Sequence, residues 1–215
     1  MPAYKLAIFD WDGTLMDSVA HIVDSMQQAA QVLGEPVPSV SAVRHIIGLG
    51  LPEAIALLFP HASLNTREEI RQQYAKHFLA HSASKSELFT GAQSLLSQLQ
   101  QQGYLLAIAT GKSRLGLDRV LAQTGIGHYF VATRCADETA SKPDPLMLRQ
   151  LLAYTGSSAE QSVMIGDTSY DMAMAQALEM PRIAVSYGVH SKDMLQGYQP
   201  LAIVDSIYQL QDYLI

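Results

Sequence analysis

Two aspartates that could share one chemical task, Asp10 and Asp12, stand two residues apart at the end of a hydrophobic stretch. Residues i and i+2 of a strand point to the same face, so both carboxylates can converge on one site at the strand's carboxyl end. Gly13 follows directly and permits the chain to turn sharply away from the strand. The pattern predicts a site built from paired carboxylates.

A second acidic cluster follows another apolar stretch. The segment Gly166-Asp167-Thr168-Ser169-Tyr170-Asp171 places Asp167 at the end of a predicted strand and Asp171 at the start of the next helix. Together with Asp10 and Asp12, these side chains supply hard oxygen donors, which suit Mg²⁺. Carboxylates crowded at one edge of a sheet repel one another, and a divalent cation is the usual way to stabilise them. We therefore expect a magnesium site.

The segment Thr110-Gly111-Lys112-Ser113 follows a predicted strand and opens a predicted helix. The Thr110 hydroxyl, the Gly111 backbone N–H and the positive end of the helix can together bind an anion. The segment is not a Walker A motif, because the first glycine of that motif would fall at Leu106, inside the strand. We expect an anion-binding loop here.

Lys142 precedes Pro143-Asp144-Pro145, a sequence that suits a loop running into the start of a helix. The prolines hold Lys142 in a non-helical segment, from which its ammonium could reach the carboxylates. A lysine in isolation is usually solvated. Lys142 becomes a site candidate because of its position in the series of motifs, after Thr110 and before Asp167.

Short apolar strands alternate with amphipathic helices over most of the chain, which predicts a doubly wound parallel sheet covered on both faces. The predicted strands cover residues 5–9, 104–109, 130–133, 162–165, 182–185 and 202–204. The predicted helices cover residues 91–102, 113–124, 145–154 and 170–178, with a further helical pattern at residues 207–214. Open α/β folds bind ligands at the carboxyl ends of such strands.

Residues 18–85 interrupt the alternation, because they show helix signals and no convincing strand. Apolar residues from Val19 to Leu33 share one helical face, and Gly34 ends that helix. Thr66 and Glu69 form a capping-box pattern ahead of a second helix. An insertion directly after the first strand lies over the ligand-binding edge of the sheet, so we predict that it acts as a lid.

These four motifs, in this order and each at a strand end or in the matching loop, resemble the haloacid dehalogenase superfamily of aspartyl-phosphate phosphohydrolases. The resemblance covers essentially the whole chain, and the helical insertion resembles the cap of the phosphoglycolate phosphatase-like branch. It implies an α/β fold with a Rossmann-like core over residues 1–17 and 86–215 and an all-helical cap domain over residues 18–85. Gly111 departs from the pattern, since that branch often has asparagine there.

The resemblance implies that Asp10 attacks phosphorus and becomes a phospho-aspartate. Asp12 donates a proton to the leaving alcohol and then helps to remove one from the attacking water. Because a dianionic ester repels an anionic nucleophile, Mg²⁺ and Lys142 must offset that charge in a closed pocket. The implied activity is Mg²⁺-dependent hydrolysis of a small phosphate monoester, such as a phosphoglycolate-like compound or a sugar phosphate.

The resemblance also implies which groups bind the metal and the substrate. The implied magnesium ligands are Asp10, the main-chain carbonyl of Asp12, Asp167 and, directly or through water, Asp171. The implied ligands of the phosphate oxygens are Thr110, the Gly111 N–H and Lys142. Residues 43–51 resemble the cap loop that faces the substrate, and within them we predict that Arg44 or His45, with Gly48 beside them, contacts the organic part.

Other activities on related cores stay open at this point. A phosphosugar mutase shares every core motif and differs in keeping its phospho-aspartate from water. A haloalkanoic acid dehalogenase delivers no proton to its halide, so Asp12 argues against it. A phosphonate-cleaving relative needs a cap lysine, and neither Lys76 nor Lys85 lies in the loop that faces the core. A non-enzymatic phospho-receiver domain carries its phosphorylated aspartate on a later strand and has no helical insertion.

Composition excludes several classes of partner. The 215 residues include 20 acidic and 14 basic ones, for a net charge of -6, so no bulk field attracts nucleic acid or anionic lipid. No apolar run reaches the roughly 18 residues of a membrane span, and we see no export signal. Cys135 is the one cysteine, so we expect a cytoplasmic protein without disulfides. The expected partner is a small phosphorylated metabolite.

Overall fold

The computed structural model describes residues 3–85 and 87–215. Its strands are β1 (Leu6–Phe9), β2 (Met16–Asp17), β3 (Glu87–Leu88), β4 (Leu105–Thr110), β5 (Ala132–Cys135), β6 (Ser162–Gly166), β7 (Arg182–Val185) and β8 (Ala202–Val204). Its helices are α1 (Val19–Leu33), α2 (Val40–Ile46), α3 (Leu51–Leu58), α4 (Leu64–Lys85), α5 (Ala92–Gln101), α6 (Arg114–Thr124), α7 (Leu146–Thr155), α8 (Ser169–Gln176), α9 (Lys192–Gln196) and α10 (Gln211–Leu214). Within these ranges, no helix combines the length and apolar character needed to cross a membrane.

The main sheet is parallel, and its strand order is β5-β4-β1-β6-β7-β8. Phe9 of β1 pairs with Ile108 of β4 on one side and with Ile165 of β6 on the other. The chain builds β4 and β5 on one side of β1 and then crosses to β6, so the strand order reverses around β1. The carboxyl ends of β1, β4 and β6 therefore meet at the position where such sheets form a ligand crevice. The predicted doubly wound parallel sheet is confirmed.

Both faces of this sheet are covered, as the alternation of side chains along β1 shows. Ala7 and Phe9 belong to one apolar cluster, whereas Leu6 and Ile8 belong to another. All four side chains are fully buried. A strand that is buried on both faces has a continuous apolar sequence, which is why this strand can be predicted from the sequence.

The predicted core elements agree with the observed ones to within about two residues at each end. The largest shift among the strands is at β5, which covers Ala132–Cys135 where the sequence predicts residues 130–133. The predicted C-terminal helix is a 3-10 turn at Ile207–Leu210 followed by α10. Its three patterned side chains, Ile207, Leu210 and Leu214, are buried.

The chain between β2 and β3 forms helices α1 to α4, and their apolar side chains make a cluster of their own. The end of α1 at Gly34 is confirmed, because this glycine has the left-handed φ of 70° that favours a residue without a side chain. The sequence pattern misses α2 and α3, which are short. The capping box at Thr66 is wrong: α4 already begins at Leu64, and the Ser63 hydroxyl accepts the Thr66 N–H at 3.1 Å.

A short antiparallel ribbon marks where the chain leaves the sheet and returns to it. Met16 of β2 pairs with Leu88 of β3, and Asp17 pairs with Glu87. The ribbon lies directly after the turn that carries Asp12, so helices α1 to α4 are attached beside the carboxyl edge of the sheet.

Candidate active site

Three aspartates converge at the carboxyl edge of the sheet, where the strand order reverses. Asp10 extends the ladder beyond β1, since its backbone N–H donates to the carbonyl of Ile165 at 2.9 Å. Asp167 follows β6 directly, and Asp171 lies in the first turn of α8. Each offers a carboxylate oxygen within 4.8 Å of those of the other two, and all three residues are buried. We call these three residues and Lys142 the buried cluster.

Lys142 is the counter-charge in the buried cluster. Its Nζ lies 2.6 Å from Asp10 Oδ1 and 2.6 Å from Asp171 Oδ1. Burial lowers the pKa of Lys142, but the two carboxylates outweigh burial and raise that pKa above its ordinary value, so the ammonium stays charged. When all three carboxylates are ionised, the single ammonium leaves the cluster with two uncompensated negative charges.

The second carboxylate oxygen of Asp10, Oδ2, is buried and has no hydrogen-bond donor among the described residues. Burial raises the pKa of Asp10 to about 7; Lys142 opposes this shift, and Asp171 and Asp12 add to it. Burial, Asp10 and Asp171 also raise the pKa of Asp167. A buried oxygen without a donor carries a desolvation cost, so Asp10 Oδ2 is the atom of the cluster that most needs an electropositive partner.

Asp167 and Asp171 are held in place by the loops around them. Asp167 accepts hydrogen bonds from the Thr14 hydroxyl at 3.0 Å and from the Val189 N–H at 2.8 Å. Asp171 accepts from the backbone N–H and the hydroxyl of Thr168, at 3.1 and 2.6 Å, in the capping box that starts α8. These bonds fix both carboxylates beside Asp10.

Two glycines let the backbone approach Asp167 closely. A Cβ at Gly13 or at Gly188 would collide with the Asp167 carboxylate. Gly13 also has a φ of 84°, in the left-handed region. The sharp turn that the sequence predicts after Asp12 therefore also makes room for the buried cluster.

The buried cluster fits a divalent cation. Its donors are hard carboxylate oxygens, their fully ionised form has two uncompensated negative charges, and Asp10 Oδ2 lacks a donor among the described residues. A doubly positive ion balances that charge and favours the ionised forms of Asp10 and Asp167, whose pKa values are raised without it. The side chains placed to hold such an ion are those of Asp10, Asp167 and Asp171.

The carboxylate of Asp12 has different partners. It accepts a hydrogen bond from the Ser18 hydroxyl at 2.5 Å and pairs with Lys112 Nζ at 3.0 Å. Ser18 is the N-cap residue of α1, yet its hydroxyl makes no capping bond to that helix. Ser18 and Lys112 are not among the site residues predicted from the sequence. The one sequence signal for Lys112 is that it follows Gly111 in the predicted anion-binding loop.

Thr110 and Gly111 lie at the carboxyl end of β4, beside β1. Thr110 is fully buried, and its hydroxyl accepts the Lys112 N–H at 3.2 Å. Gly111 lies against the loop after α2: a Cβ there would stand 2.5 Å from the carbonyl oxygen of Leu49 and 2.6 Å from that of Gly48. The absence of a side chain at residue 111 is what allows this contact.

Arg44 and His45 of α2 contact residues next to the buried cluster. The Arg44 guanidinium donates to the carbonyls of Gly188 and Val189 at 3.0 and 3.1 Å. The His45 carbonyl accepts the Tyr170 hydroxyl at 2.9 Å. These contacts bind α2 to the first turn of α8 and to the loop that follows β7, and the substrate contact predicted for both residues stays a prediction.

The loop after α2 lies over the start of α8 and the loop of Lys142. A Cβ at Gly48 would stand 3.1 Å from the Thr168 hydroxyl. The Gly50 N–H donates to the Ser141 hydroxyl at 2.8 Å, directly beside Lys142. We call residues 47–50 the cap loop; Gly111, Thr168 and Ser141 surround it on the core.

The sequence matches the family profile described as Haloacid dehalogenase-like hydrolase over residues 7–185, a span that includes the whole buried cluster. A phosphoglycolate phosphatase from Vibrio cholerae is 30% identical over 223 residues, covering 100% of this chain and 99% of the relative. The relative named Probable phosphatase IndB, from Dickeya dadantii, is 33% identical over 210 residues, covering 95% of this chain and 91% of that protein.

A solved structure has the same fold along nearly the whole chain. It is described as a predicted phosphoglycolate phosphatase from Haemophilus somnus, and it superposes with a TM-score of 0.88 over 99% of each chain. The two sequences are 23% identical, so this match bears on the fold alone.

Proposed function

Because the chain belongs to the haloacid dehalogenase-like hydrolase family, we propose that it hydrolyses a small phosphate monoester through a phospho-aspartate on Asp10. It is a phosphoric monoester hydrolase, in keeping with the phosphatases among its relatives. The proposed substrates are phosphoglycolate-like compounds or sugar phosphates. The observation that carries the proposal is the buried, donorless Oδ2 of Asp10, held beside the ammonium of Lys142.

Asp10 is the proposed nucleophile. Its carboxylate, which lies beside the ammonium of Lys142, attacks phosphorus in line. A bond forms between one carboxylate oxygen of Asp10 and phosphorus while the bond from phosphorus to the leaving alcohol oxygen breaks, so the phosphoryl group passes to Asp10. Lys142 offsets the charge of Asp10 toward the incoming dianion.

Asp12 is the proposed general acid and base. Its carboxylate lies outside the buried cluster, is held by Ser18, and borders a cavity of about 520 Å³. In the first step Asp12 gives its proton to the leaving alcohol oxygen. In the second step it takes a proton from the water that attacks the phospho-aspartate, which restores Asp10 and releases inorganic phosphate.

Magnesium is the proposed cofactor, because hard carboxylate oxygens are the ligands it prefers. Asp10, Asp167 and Asp171 would hold it, together with the main-chain carbonyl of Asp12. When bound, the ion supplies positive charge that polarises the phosphoryl group and reduces repulsion between the ester and Asp10.

Thr110, the Gly111 N–H and Lys142 are the proposed ligands of the non-bridging phosphate oxygens. The Thr110 hydroxyl accepts the Lys112 N–H and keeps its own proton for a phosphate oxygen. Lys142 already lies beside Asp10, where the phosphoryl group arrives. These donors stabilise the charge that spreads over the equatorial oxygens during transfer.

Residues 18–85 are the proposed cap over a catalytic core formed by residues 1–17 and 86–215. The cap loop lies against Gly111, Thr168 and Ser141, an arrangement that excludes water from the buried cluster. Opening near the β2–β3 ribbon would admit the ester and release the products. We propose that Arg44, His45 and Gly48 face the organic part of the substrate during this closure.

A phosphosugar mutase is the second candidate function, because it uses the same nucleophile and proton donor. The relatives named as phosphatases favour hydrolysis. Incubation with a sugar phosphate, followed by phosphorus NMR, separates the two: hydrolysis releases inorganic phosphate, whereas a mutase returns an isomeric sugar phosphate.

The test of the proposed function is a panel of small phosphate esters assayed for released phosphate, with Mg²⁺ and with chelator. We expect turnover that requires the metal, and an Asp10→Asn variant that loses roughly a thousandfold or more in kcat because it lacks the nucleophilic oxygen. The matched control is Asp212→Asn, an exposed aspartate of α10. Equal activity of Asp10→Asn and the wild type, or full turnover in chelator, would contradict the proposal.

A further inference from the structure

The loop after β7 packs around the carboxylate of Asp167. Residues 187–190 form this part of the loop, and we call them the docking segment. The Val189 N–H donates to Asp167 Oδ2 at 2.8 Å, and the His190 N–H donates to the Asp167 carbonyl at 3.3 Å. At Gly188 the backbone lies so close that a Cβ would collide with the same carboxylate. The docking segment therefore sets the orientation of Asp167, one of the three side chains placed to hold a divalent cation.

The docking segment also binds the helices of the proposed cap. Val189 belongs to the core by its position in the chain, yet its side chain is buried in the apolar cluster of helices α1 to α4. The Arg44 guanidinium of α2 donates through Nη2 to the carbonyls of Gly188 and Val189 at 3.0 and 3.1 Å. Val189 therefore contacts the cap through its side chain and its carbonyl, and it contacts Asp167 through its N–H.

A cavity of about 370 Å³ lies beside Arg44, between helix α1 and the docking segment. Val23 and Gln27 of α1 line one part of it, and Tyr187 and Gly188 line another. Helix α1 is thus separated from the docking segment at this place by unfilled space. A larger share of the contact between cap and docking segment therefore falls to Arg44 and Val189.

We infer that Arg44 is a positioning residue that couples closure of the cap to binding of the divalent cation. This inference rests on the metal site of the proposed function and adds a coupling to it. In the closed form Arg44 fixes the docking segment, which in turn holds the carboxylate of Asp167 beside those of Asp10 and Asp171. Both bonds of Arg44 use Nη2, so this role is compatible with the substrate contact proposed for the same side chain.

The coupling acts in both directions. When the cap opens, the docking segment loses its bonds to Arg44, and the carboxylate of Asp167 is held less firmly. A less ordered ligand must be ordered when the cation binds, so the affinity for the cation falls. By thermodynamic linkage, the cation must favour the closed cap by the same factor.

The charge of Arg44 has the opposite effect on cation affinity. A guanidinium near the buried cluster repels a divalent cation, so its removal favours binding of the ion. The positioning role predicts weaker binding when Arg44 is removed. The sign of the change in affinity therefore distinguishes positioning from simple electrostatics.

The test measures cation binding without substrate, so that contacts with the organic part of an ester have no influence on the result. The probe is Mn²⁺, which takes the same carboxylate ligands, and electron paramagnetic resonance measures the free ion. We expect Arg44→Met and Val189→Ala each to raise the Kd for Mn²⁺ at least roughly fivefold, the lower end of ordinary coupling between two sites. Val189→Ala keeps the backbone N–H that binds Asp167 and removes only the side chain that enters the cap. Arg44→Lys, which keeps a donor and the charge, should raise the Kd less than Arg44→Met.

Two variants serve as matched controls, and both should keep the wild-type Kd. Arg71→Met removes an exposed arginine of α4. Ile70→Val removes one methyl group from the apolar cluster that contains the Val189 side chain.

Hydrogen exchange followed by mass spectrometry tests the reciprocal effect. Saturating Mn²⁺ should slow the exchange of backbone amides in α2 of the wild type, because the ion favours the closed cap. In Arg44→Met this effect of the ion should be lost. A merely structural role of Arg44 would speed exchange equally with and without Mn²⁺.

The other outcomes would overturn the inference or separate it from the proposed function. An unchanged or lower Kd in Arg44→Met would overturn it, and so would a wild-type protein that binds no Mn²⁺. If the Kd values change as expected but no ester on the panel is hydrolysed, the proposed function fails and the coupling stands. Circular dichroism identifies a misfolded variant. Should Arg44→Met misfold, Arg44→Gln replaces it, and the same fivefold criterion applies to Arg44→Gln and Val189→Ala.

Discussion

Replacing Gly111 with alanine tests whether turnover requires the cap loop to lie against the loop of Thr110 and Gly111. The new Cβ would stand 2.5 Å from the Leu49 carbonyl oxygen, whereas ordinary contact begins at 3.4 Å, so the two loops must separate by about 0.9 Å. The obstructing atoms belong to the backbone, so no change of side-chain rotamer can relieve the contact. The same shift along the bond from the Gly50 N–H to Ser141 would lengthen it from 2.8 Å to about 3.7 Å, which is no longer a hydrogen bond.

The size of the effect follows from these distances. Loss of one hydrogen bond that holds the closed form costs about 1 kcal/mol, or roughly fivefold. A misplacement of about 1 Å in a catalytic site costs up to roughly a hundredfold. We therefore expect Gly111→Ala to lower kcat/KM between roughly 5- and 100-fold, on whichever ester the wild-type protein hydrolyses best.

The assay needs a glycine control, because any added methyl group changes the backbone entropy of the unfolded chain. Gly127→Ala is a suitable control, because the new Cβ would contact only Leu121 Cβ, at the ordinary van der Waals distance of 3.6 Å. We expect Gly127→Ala to keep wild-type kinetics and both variants to remain folded by circular dichroism. Activity of Gly111→Ala within twofold of the wild type would refute the argument that contact of the cap loop with Gly111 matters for turnover.

Two further predictions concern the charges of the buried cluster. Burial raises the pKa of Asp10 from 3.8 to about 7. Between pH 3.8 and about 7, the folded metal-free protein therefore binds more protons than the unfolded chain. Its free energy of unfolding falls as the pH rises through this range. In chelator, Asp10→Asn should therefore raise Tm relative to the wild type more at pH 8 than at pH 5, and an equal difference at both would contradict this. Lys142→Met removes the counter-charge of Asp10 and Asp171, so we expect it to lower Tm and reduce turnover at least roughly a hundredfold, with the exposed Lys5→Met as control. Wild-type turnover in Lys142→Met would exclude the role given to Lys142.

The sheet can be predicted because each of its strands has a recognisable local sequence pattern. Residues 5–9 and 162–165 are short apolar segments next to polar turns, and burial on both faces of a parallel sheet requires that pattern. Helices α2 and α3 are missed because seven or eight residues give too few turns for an apolar face to stand out. The start of α4 is misplaced because Ser63 and Thr66 are both good N-cap residues, and in the structure the Ser63 hydroxyl accepts the Thr66 N–H.

Part of the candidate site can likewise be predicted from the sequence, and part of it cannot. Asp10, Asp167 and Asp171 follow strands that the sequence predicts, and parallel strands end at one edge, so their meeting follows from the topology. The partners of Asp12 do not follow from any local pattern. Lys112 is 100 positions away along the chain, and its approach depends on how the loops after β1 and β4 pack together. The same holds for Arg44, whose carbonyl acceptors lie at Gly188 and Val189.

Because Asp17 pairs with Glu87, the chain enters and leaves the helical insertion at two neighbouring positions. A short turn joining these two positions would leave every connection within the parallel sheet intact. A different insertion could be grafted at the same two positions without changing the strands that carry Asp10, Thr110 and Asp167. In the proposed function, the residues that act on phosphorus lie outside this insertion, so exchanging the insertion at these two neighbouring points would change the contacts with the organic part of the ester and leave Asp10, Thr110 and Asp167 in place.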